Sequence, residues 1–149
     1  MILDALTRLA DGWAPTTNTT TYTTYTYDCQ GDSTYKREVG NGKIMCLVFS
    51  VGVDAAGSTD ATYFNAVSGN TGTDLSSSGL TLASRLIANA SLTAGSKHVV
   101  PIPPGSVTQR YIGGSVTLGS GDTVTVDVDL VPMDFVGLTK DYPDAVTWS

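Results

Sequence analysis

One short stretch of the sequence brings together residue types that could do acid–base chemistry. Residues 98–112, HVVPIPPGSVTQRYI, contain the only histidine and three of the six prolines, and end near Arg110 and Tyr111. A histidine within reach of a serine could serve as the general base of a hydrolase. The chain has no G-x-S-x-G nucleophile motif, however, and the neighbours of His98 are strand residues. We therefore interpret His98 as a packed or surface histidine.

A second candidate is the pair Asp127 and Asp129, which a strand places on one face about 7 Å apart. With a third oxygen ligand they could hold a hard cation, but no compact Asp/Asn/Gly calcium loop accompanies them. We interpret the pair as a solvated acidic face. A cupin-type metal centre needs several converging histidines, and neither a dinucleotide nor a phosphate-loop motif is present. The sequence therefore implies no catalytic residue, no metal site and no cofactor.

Composition narrows the class of protein further. The 149 residues are 41% hydrophobic and only 15% charged, and the net charge is -6. The eight basic residues are scattered rather than clustered, which argues against binding to nucleic acid. No apolar run reaches the ~18 residues needed to cross a bilayer, so we expect no membrane association and no cleaved signal peptide. Cys29 and Cys46 are interpreted as free, buried thiols made in a reducing cytoplasm.

The hydrophobic pattern predicts mostly strands. Ile2, Leu3, Leu6 and Leu9 have helical spacing, which predicts a short N-terminal helical segment. The Thr/Tyr-rich residues 18–28 predict one strand at a sheet edge, and the apolar residues 43–53 predict a central strand. Residues 80–95 favour a strand followed by a loop. The other predicted strands are residues 61–67, 97–103, 110–118 and 122–130.

About eight short strands separated by turns indicate an all-β, jelly-roll-like sandwich of two sheets in a single domain. We assign residues 1–15 to an N-terminal segment, 16–132 to the sandwich and 133–149 to an extended C-terminal arm. In the proline-rich stretch, Pro101 and Pro103 suit a strand edge, while Pro104 and Gly105 set a turn. Arg110, which can bond loop carbonyls, and Tyr111, which can anchor the corner, begin the returning strand.

Two parts of the chain resemble a known family, the capsid cement (decoration) proteins of short-tailed and related bacteriophages, known from a Bordetella phage. The first part is the opening MILDALTRLADGWAPTT, and the second is LTAGSKHVVPIPPGSVTQRYIGGSVTLG. The second part contains a Leu-x-Ala-Gly turn and an apolar strand that ends in Pro-x-Pro-Pro-Gly. A short loop then leads into an Arg-Tyr-aliphatic motif, which begins the next strand. The matching residues are Met1, Ile2, Asp4, Leu6, Asp11, Ala14, Thr16, Leu92, Ala94, Gly95, Pro101, Pro103, Pro104, Gly105, Arg110, Tyr111 and Ile112.

The resemblance implies a non-enzymatic jelly roll on the outer surface of an icosahedral virion, assembled in the host cytoplasm. Its partner would be a major capsid protein of the HK97 type, whose neighbouring subunits it bridges. A homo-oligomer, either a dimer or a trimer, is expected on a symmetric shell. Residues with no periodic partner in the domain are the expected shell contacts, namely Ile2, Leu3, Leu6, Tyr142, Val146 and Trp148.

Two alternatives stay open at this point. Tyr22, Tyr25 and Tyr27 on a Thr-rich strand could form the binding face of a carbohydrate-binding jelly-roll module for a phage or host surface. A hydrolase that uses His98 as its base is the third hypothesis. The lack of any convergent set of catalytic side chains favours a structural or binding protein over an enzyme.

Overall fold

The computed structural model describes residues 8–29, 44–57, 61–77 and 79–133. These ranges contain nine strands and one short 3-10 helix (Asn89–Ser91). The strands are β1 (Arg8–Trp13), β2 (Thr20–Tyr22), β3 (Tyr27–Asp28), β4 (Met45–Ala56), β5 (Ala61–Gly69), β6 (Leu80–Ala88), β7 (Lys97–Pro101), β8 (Tyr111–Thr117) and β9 (Thr123–Pro132).

The strands form two antiparallel sheets, which confirms the predicted all-β sandwich. The four-stranded sheet has the order β1-β9-β4-β7, and the five-stranded sheet has the order β2-β8-β5-β6 with β3 also paired to β8. The pairings are nested: β5 pairs with β6, β4 with β7, β2 with β8, and β1 with β9. Each pair therefore encloses the previous one along the chain.

The core lies between the sheets because the strands turn alternate apolar residues inward. Phe49 of β4 and Phe64 of β5 stack across the interface, with ring centroids 4.5 Å apart and an interplanar angle of 6°. Leu47, Val126 and Val128 are fully buried in the same cluster. A second, smaller cluster on the opposite face of the four-stranded sheet contains Cys46, Val48 and Val131. The prediction of a central strand at residues 43–53 is therefore confirmed by β4.

The predicted N-terminal helix is wrong over residues 8–13, which form strand β1. Ala10 pairs with Val128 and Trp13 with Val126, and register shifts separate these pairs. Gly12 has φ +57°, a conformation that glycine adopts without strain. The helical spacing was misleading because pairing with β9 outweighs the local pattern. The other predicted helical residues, Ile2, Leu3 and Leu6, lie outside the described residues.

The Thr/Tyr-rich run forms two short strands rather than the single predicted strand. Between β2 and β3 the chain turns toward the other sheet, where the Tyr25 backbone N–H donates to the Leu9 carbonyl at 3.1 Å. The predicted edge position is confirmed for β2, which ends the five-stranded sheet. Residues 80–95 form β6 and then the 3-10 helix and a loop, so the prediction of a strand followed by a loop is also confirmed.

Candidate functional site

The Pro-x-Pro-Pro-Gly stretch forms the turn that follows β7. Pro101 pairs with Cys46 at the end of β7, the outer strand of the four-stranded sheet, where its missing N–H does no harm. The Pro103 carbonyl accepts hydrogen bonds from the backbone N–H and the hydroxyl of Ser106, at 3.1 and 2.6 Å. Pro104 and Gly105 are the central residues of this turn, and Gly105 has φ +77° as a type II turn requires. The predicted turn is confirmed.

Replacing Gly105 with alanine tests this turn. A Cβ at Gly105 would meet no atom within 4 Å, so only backbone strain opposes the substitution. We expect Gly105→Ala to lower the free energy of unfolding by about 1–2 kcal/mol, the cost of the left-handed conformation. Urea unfolding measures the effect. Gly105→Asn is the control and should cost less, since asparagine tolerates positive φ; equal stability of all three chains would contradict the assigned turn.

Arg110 and Tyr111 hold the start of β8. Arg110 does not bond loop carbonyls as predicted; its guanidinium forms a two-point ion pair with the Asp28 carboxylate, Nε–Oδ1 2.9 Å and Nη2–Oδ2 2.8 Å. This pair raises the pKa of Arg110 further above its ordinary value. Tyr111 does anchor a corner, because a Cβ at Gly72 would lie only 2.8 Å from its ring. The Arg110–Asp28 pair and the Tyr111 ring therefore fix the start of β8 to β3 and to the loop at Gly72.

His98 is packed in β7, as the sequence analysis predicted. Its ring lies 5.9 Å from the Phe64 ring, centroid to centroid, and its side chain is almost fully buried. Burial, together with the charge of Arg85, lowers its pKa. Nε2 lies 3.1 Å from the Ser96 hydroxyl, but that hydroxyl donates its one proton to the Thr93 carbonyl at 2.6 Å. The ring also hydrogen-bonds the Ser91 backbone, so the polar contacts of His98 are made to the loop that precedes β7.

The prediction of a solvated face at Asp127 and Asp129 is wrong, because both residues are 0% exposed. Arg8 lies beside them: its Nε donates to Asp129 Oδ1 at 2.9 Å and its Nη1 to Asp127 Oδ2 at 3.4 Å. The Gly12 N–H donates to Asp127 Oδ1 at 2.6 Å. Asp11 is a third, exposed carboxylate near Arg8. We call Arg8, Asp127 and Asp129 the charge cluster.

The charge cluster brings two carboxylates to one guanidinium on the face of the four-stranded sheet that points away from the core. Burial raises the pKa of Asp129 even though Arg8 acts to lower it. Arg8 loses solvation as well, but the bond and charge of Asp129 raise its pKa overall. The sequence predicted that Asp127 and Asp129 are solvated, or at most bind a metal cation. In the structure, the cation beside them is the guanidinium of Arg8. Its arrangement is suited to fixing β1 against β9.

The two cysteines are free and buried, as predicted. Burial raises the pKa of each thiol from an ordinary value of 9.0 to about 11. Cys46 also donates to the Val131 carbonyl at 3.4 Å. Their packing makes both thiols structural apolar groups rather than nucleophiles.

The raised thiol pKa values predict low reactivity. At pH 8 the thiolate fraction is about a hundredfold smaller for a pKa near 11 than for one near 9, so we expect the folded chain to react with an aromatic disulfide reagent at least about a hundredfold more slowly than the chain in urea. The absorbance of the released thiolate measures both rates. Cys29→Ser assigns the remaining signal to Cys46; equal rates for folded and unfolded chains would contradict the buried positions.

The three tyrosines proposed for sugar binding do not share a face. Tyr27 packs against the main core, whereas Tyr25 is largely exposed beside the β1 edge. Tyr22 pairs with Ser115, whose hydroxyl accepts a hydrogen bond from the Asn65 amide at 3.0 Å. Asn65 in turn accepts a hydrogen bond from Ser84 at 2.6 Å. These polar groups on the outer face of the five-stranded sheet therefore satisfy one another.

Two other classes of site are absent from the described part of the chain. No group of three or more His, Cys, Asp or Glu side chains there is arranged to hold a metal ion. The same residues include no helix long and apolar enough to span a membrane. The predicted shell contacts at Ile2, Leu3 and Leu6, and at Tyr142, Val146 and Trp148, all lie outside the described residues, so they stay predictions.

The fold defines the class of the chain as a two-sheet antiparallel β-sandwich, and its most specific sequence motif forms a hydrogen-bonded, proline-rich turn. Comparison with family models then gives the family: the Bbp16 model matches residues 9–131. Because this match covers most of the sequence, the chain belongs to the Bbp16 family. Comparison with curated proteins found no match.

Proposed function

We propose that this protein is a structural cement protein that binds the outer surface of an icosahedral phage capsid and bridges neighbouring major capsid proteins. It acts as a binding protein and not as an enzyme. We further propose that it works on the virion as a homo-oligomer, that the host cytoplasm is where it assembles, and that its partner has the HK97 fold. Neither nucleic acid nor membrane is part of this function.

The family match is the observation that carries the proposal. It spans all nine strands except the first residue of β1 and the last of β9. The same span includes the Pro101–Tyr111 stretch that resembles phage cement proteins, and the family name points to a Bordetella phage. The nested strand pairs further support a jelly roll, the fold that the resemblance implies.

The physical character of the chain suits a load-bearing role. The Phe49 and Phe64 rings stacked between the sheets and the buried charge cluster oppose deformation of the sandwich. The chain carries a net charge of -6, which opposes attraction to packaged DNA and suits a position outside the shell. Many copies acting together would give a stable coat even if each contact is modest.

Shells prepared with and without the protein test the proposal. We expect purified protein to bind isolated shells saturably, and coated shells to withstand heating to a higher temperature than bare shells. Sedimentation followed by gel densitometry measures the copies bound, and electron microscopy after heating measures intact particles. Absence of binding, or equal heat resistance of coated and bare shells, would overturn the proposal. A glycan array should show no specific, saturable binding.

The predicted terminal contacts can be tested in the same assay. Removing residues 141–149 takes away Tyr142, Val146 and Trp148, and we expect the number of bound copies per shell to fall severalfold. Circular dichroism should show the sandwich still folded, since all nine strands end before residue 133. Unchanged occupancy of the shell would remove this segment from the contact surface.

A further inference from the structure

The two sheets have four outer edges, and three of them are protected against pairing with another chain. The strands at one edge, β2 and β3, have only three and two residues. At β1 the strand is interrupted by register shifts, and its Leu9 carbonyl already accepts the Tyr25 N–H. At β7 the strand ends in Pro101, and the Val99 carbonyl accepts a hydrogen bond from Arg85 Nη1 at 3.2 Å. Short strands, irregular pairing, proline and charge are the usual protections of a sheet edge.

The fourth edge, β6, lacks most of these protections. It runs for nine residues, Leu80–Ala88, without proline, and within the described ranges β5 is its only strand partner. Its pairing with β5 contains one register shift, near the start of β6. Arg85 is its single charged residue and is turned toward β7. A long edge strand without proline, and without a second strand partner among the described residues, is a site where another extended segment can add as a strand.

Apolar side chains accompany the open backbone of β6. Leu86 is 54% exposed and is the cross-strand partner of Tyr63, which is 44% exposed. Leu80 is exposed at the start of the strand. The Leu86–Tyr63 pair lies on the outer face of the five-stranded sheet, since the neighbouring Phe64 points into the core. An added strand would therefore find an apolar contact next to the backbone groups that it pairs with.

The charged side chains of β6 and the adjacent β7 favour one kind of occupant. No Asp or Glu occurs between Asp74 and Asp122, so every acidic residue of this acidic chain lies elsewhere in the sequence. The same interval contains Arg85 on β6 and Lys97 on the adjacent β7. A second copy is a poor occupant, because antiparallel pairing of two β6 strands about Ser84 makes the two Arg85 residues diagonal neighbours at about 7–8 Å. An extended segment that carries a carboxylate fits better.

We propose that the β6 edge is a docking site for an extended, apolar segment of the major capsid protein that carries an acidic residue. The segment adds to the five-stranded sheet as a sixth strand, packs on Leu86 and Tyr63, and places its carboxylate near Arg85 and Lys97. This proposal rests on the cement function proposed above and assigns the contact to a particular strand.

Two matched substitutions test the docking site in the shell-binding assay. Leu86→Asp adds a negative charge and removes the apolar contact on β6, and we expect at least about a tenfold loss of affinity for shells. Val53→Asp makes the same kind of change at a strand position on β4 that is 59% exposed, and we expect less than a twofold effect. If Leu86→Asp fails to fold, Leu86→Thr takes its place, because threonine favours strands. We expect Leu86→Thr to cause an intermediate loss of affinity for shells.

A photo-crosslinking residue at position 86 identifies what lies on β6. On coated shells we expect it to form a bond to the major capsid protein, whereas the same residue at position 53 forms none. If wild-type protein binds shells but the Leu86 variants bind equally well, the docking site is wrong and the cement function stands. A cross-link between two copies of this chain likewise overturns the assignment to the capsid protein. If wild-type protein binds no shells, both proposals fail.

Discussion

Replacing Arg8 with glutamine is expected to lower the free energy of unfolding by about 3–5 kcal/mol, because it removes a guanidinium that bonds two buried carboxylates. Asp127 and Asp129 are fully buried, and Arg8 approaches both carboxylates. The Gly12 N–H still reaches Asp127, but a neutral backbone donor does not replace the charge of a guanidinium. Urea or guanidinium unfolding at pH 7 measures the loss.

Arg110→Gln is the matched control for this prediction. Arg110 also approaches a carboxylate with its Nε at 2.9 Å, in this case that of Asp28, but both partners are substantially exposed. Exposed ion pairs contribute little to stability, so the unfolding midpoint should change only slightly. Equal effects of the two substitutions would show that Asp127 and Asp129 are not buried as charges.

The Arg8 variant should also depend on pH in a particular direction. The pKa of Asp129 is raised above 3.8, chiefly by burial, and loss of Arg8 removes the contact that opposes this rise. The folded variant therefore binds a proton more readily than the unfolded chain, so its stability should increase as the pH falls from 7 through the raised pKa toward 3.8. A larger increase for Arg8→Gln than for wild type is expected; the same pH dependence would contradict the charge cluster.

The second large effect is expected in the core, where Phe64→Ala should cost about 3–5 kcal/mol. Phe64 is fully buried and stacks on Phe49 of the opposite sheet at 4.5 Å, so its loss leaves a cavity that two rigid sheets cannot close. Denaturant unfolding measures the change. The denaturant concentration at the midpoint should fall, whereas the dependence of the unfolding free energy on denaturant should stay the same.

The neighbouring residue provides the control for Phe64. Tyr63 lies on the same strand but on the opposite face, with 44% of its surface exposed. Tyr63→Ala should therefore cost much less than Phe64→Ala. If Phe64→Ala were as mild as Tyr63→Ala, the sheets would not pack through this pair. Because Tyr63 belongs to the proposed docking site, Tyr63→Ala should instead weaken shell binding.

The strands were largely predictable because their evidence is local. The apolar run around Phe49 and the alternating Val124–Leu130 pattern each predict a strand without reference to the rest of the chain. The Pro104–Gly105 turn was predictable for the same reason, since proline restricts φ and glycine permits the positive φ that the turn requires. Strand β1 was mispredicted because its conformation depends on β9, more than a hundred residues away.

The charge cluster could not be predicted from strand alternation alone. The pattern correctly places Asp127 and Asp129 on the opposite face from Val126 and Val128, but burial of that face depends on residues far away in the sequence. Arg8 is 119 residues from Asp127 in the sequence. The sequence did contain evidence for the cluster, because two aspartates on one strand face, if buried, need a positively charged group beside them. The open edge of β6 likewise depends on which strands lie outermost, and local sequence does not determine that.

The nested strand pairing has a consequence for how the chain folds during synthesis. The innermost pair, β5 with β6, closes over the shortest connection, whereas β1 must wait for β9, which lies more than a hundred residues later in the sequence. Closing the outer pairs costs progressively more chain entropy, so we expect them to form last and slowly. While the ribosome is still making β9, Arg8 has no carboxylate at positions 127 and 129 to bind. The charge cluster can therefore form only when β9 has emerged, which makes it a marker of late folding.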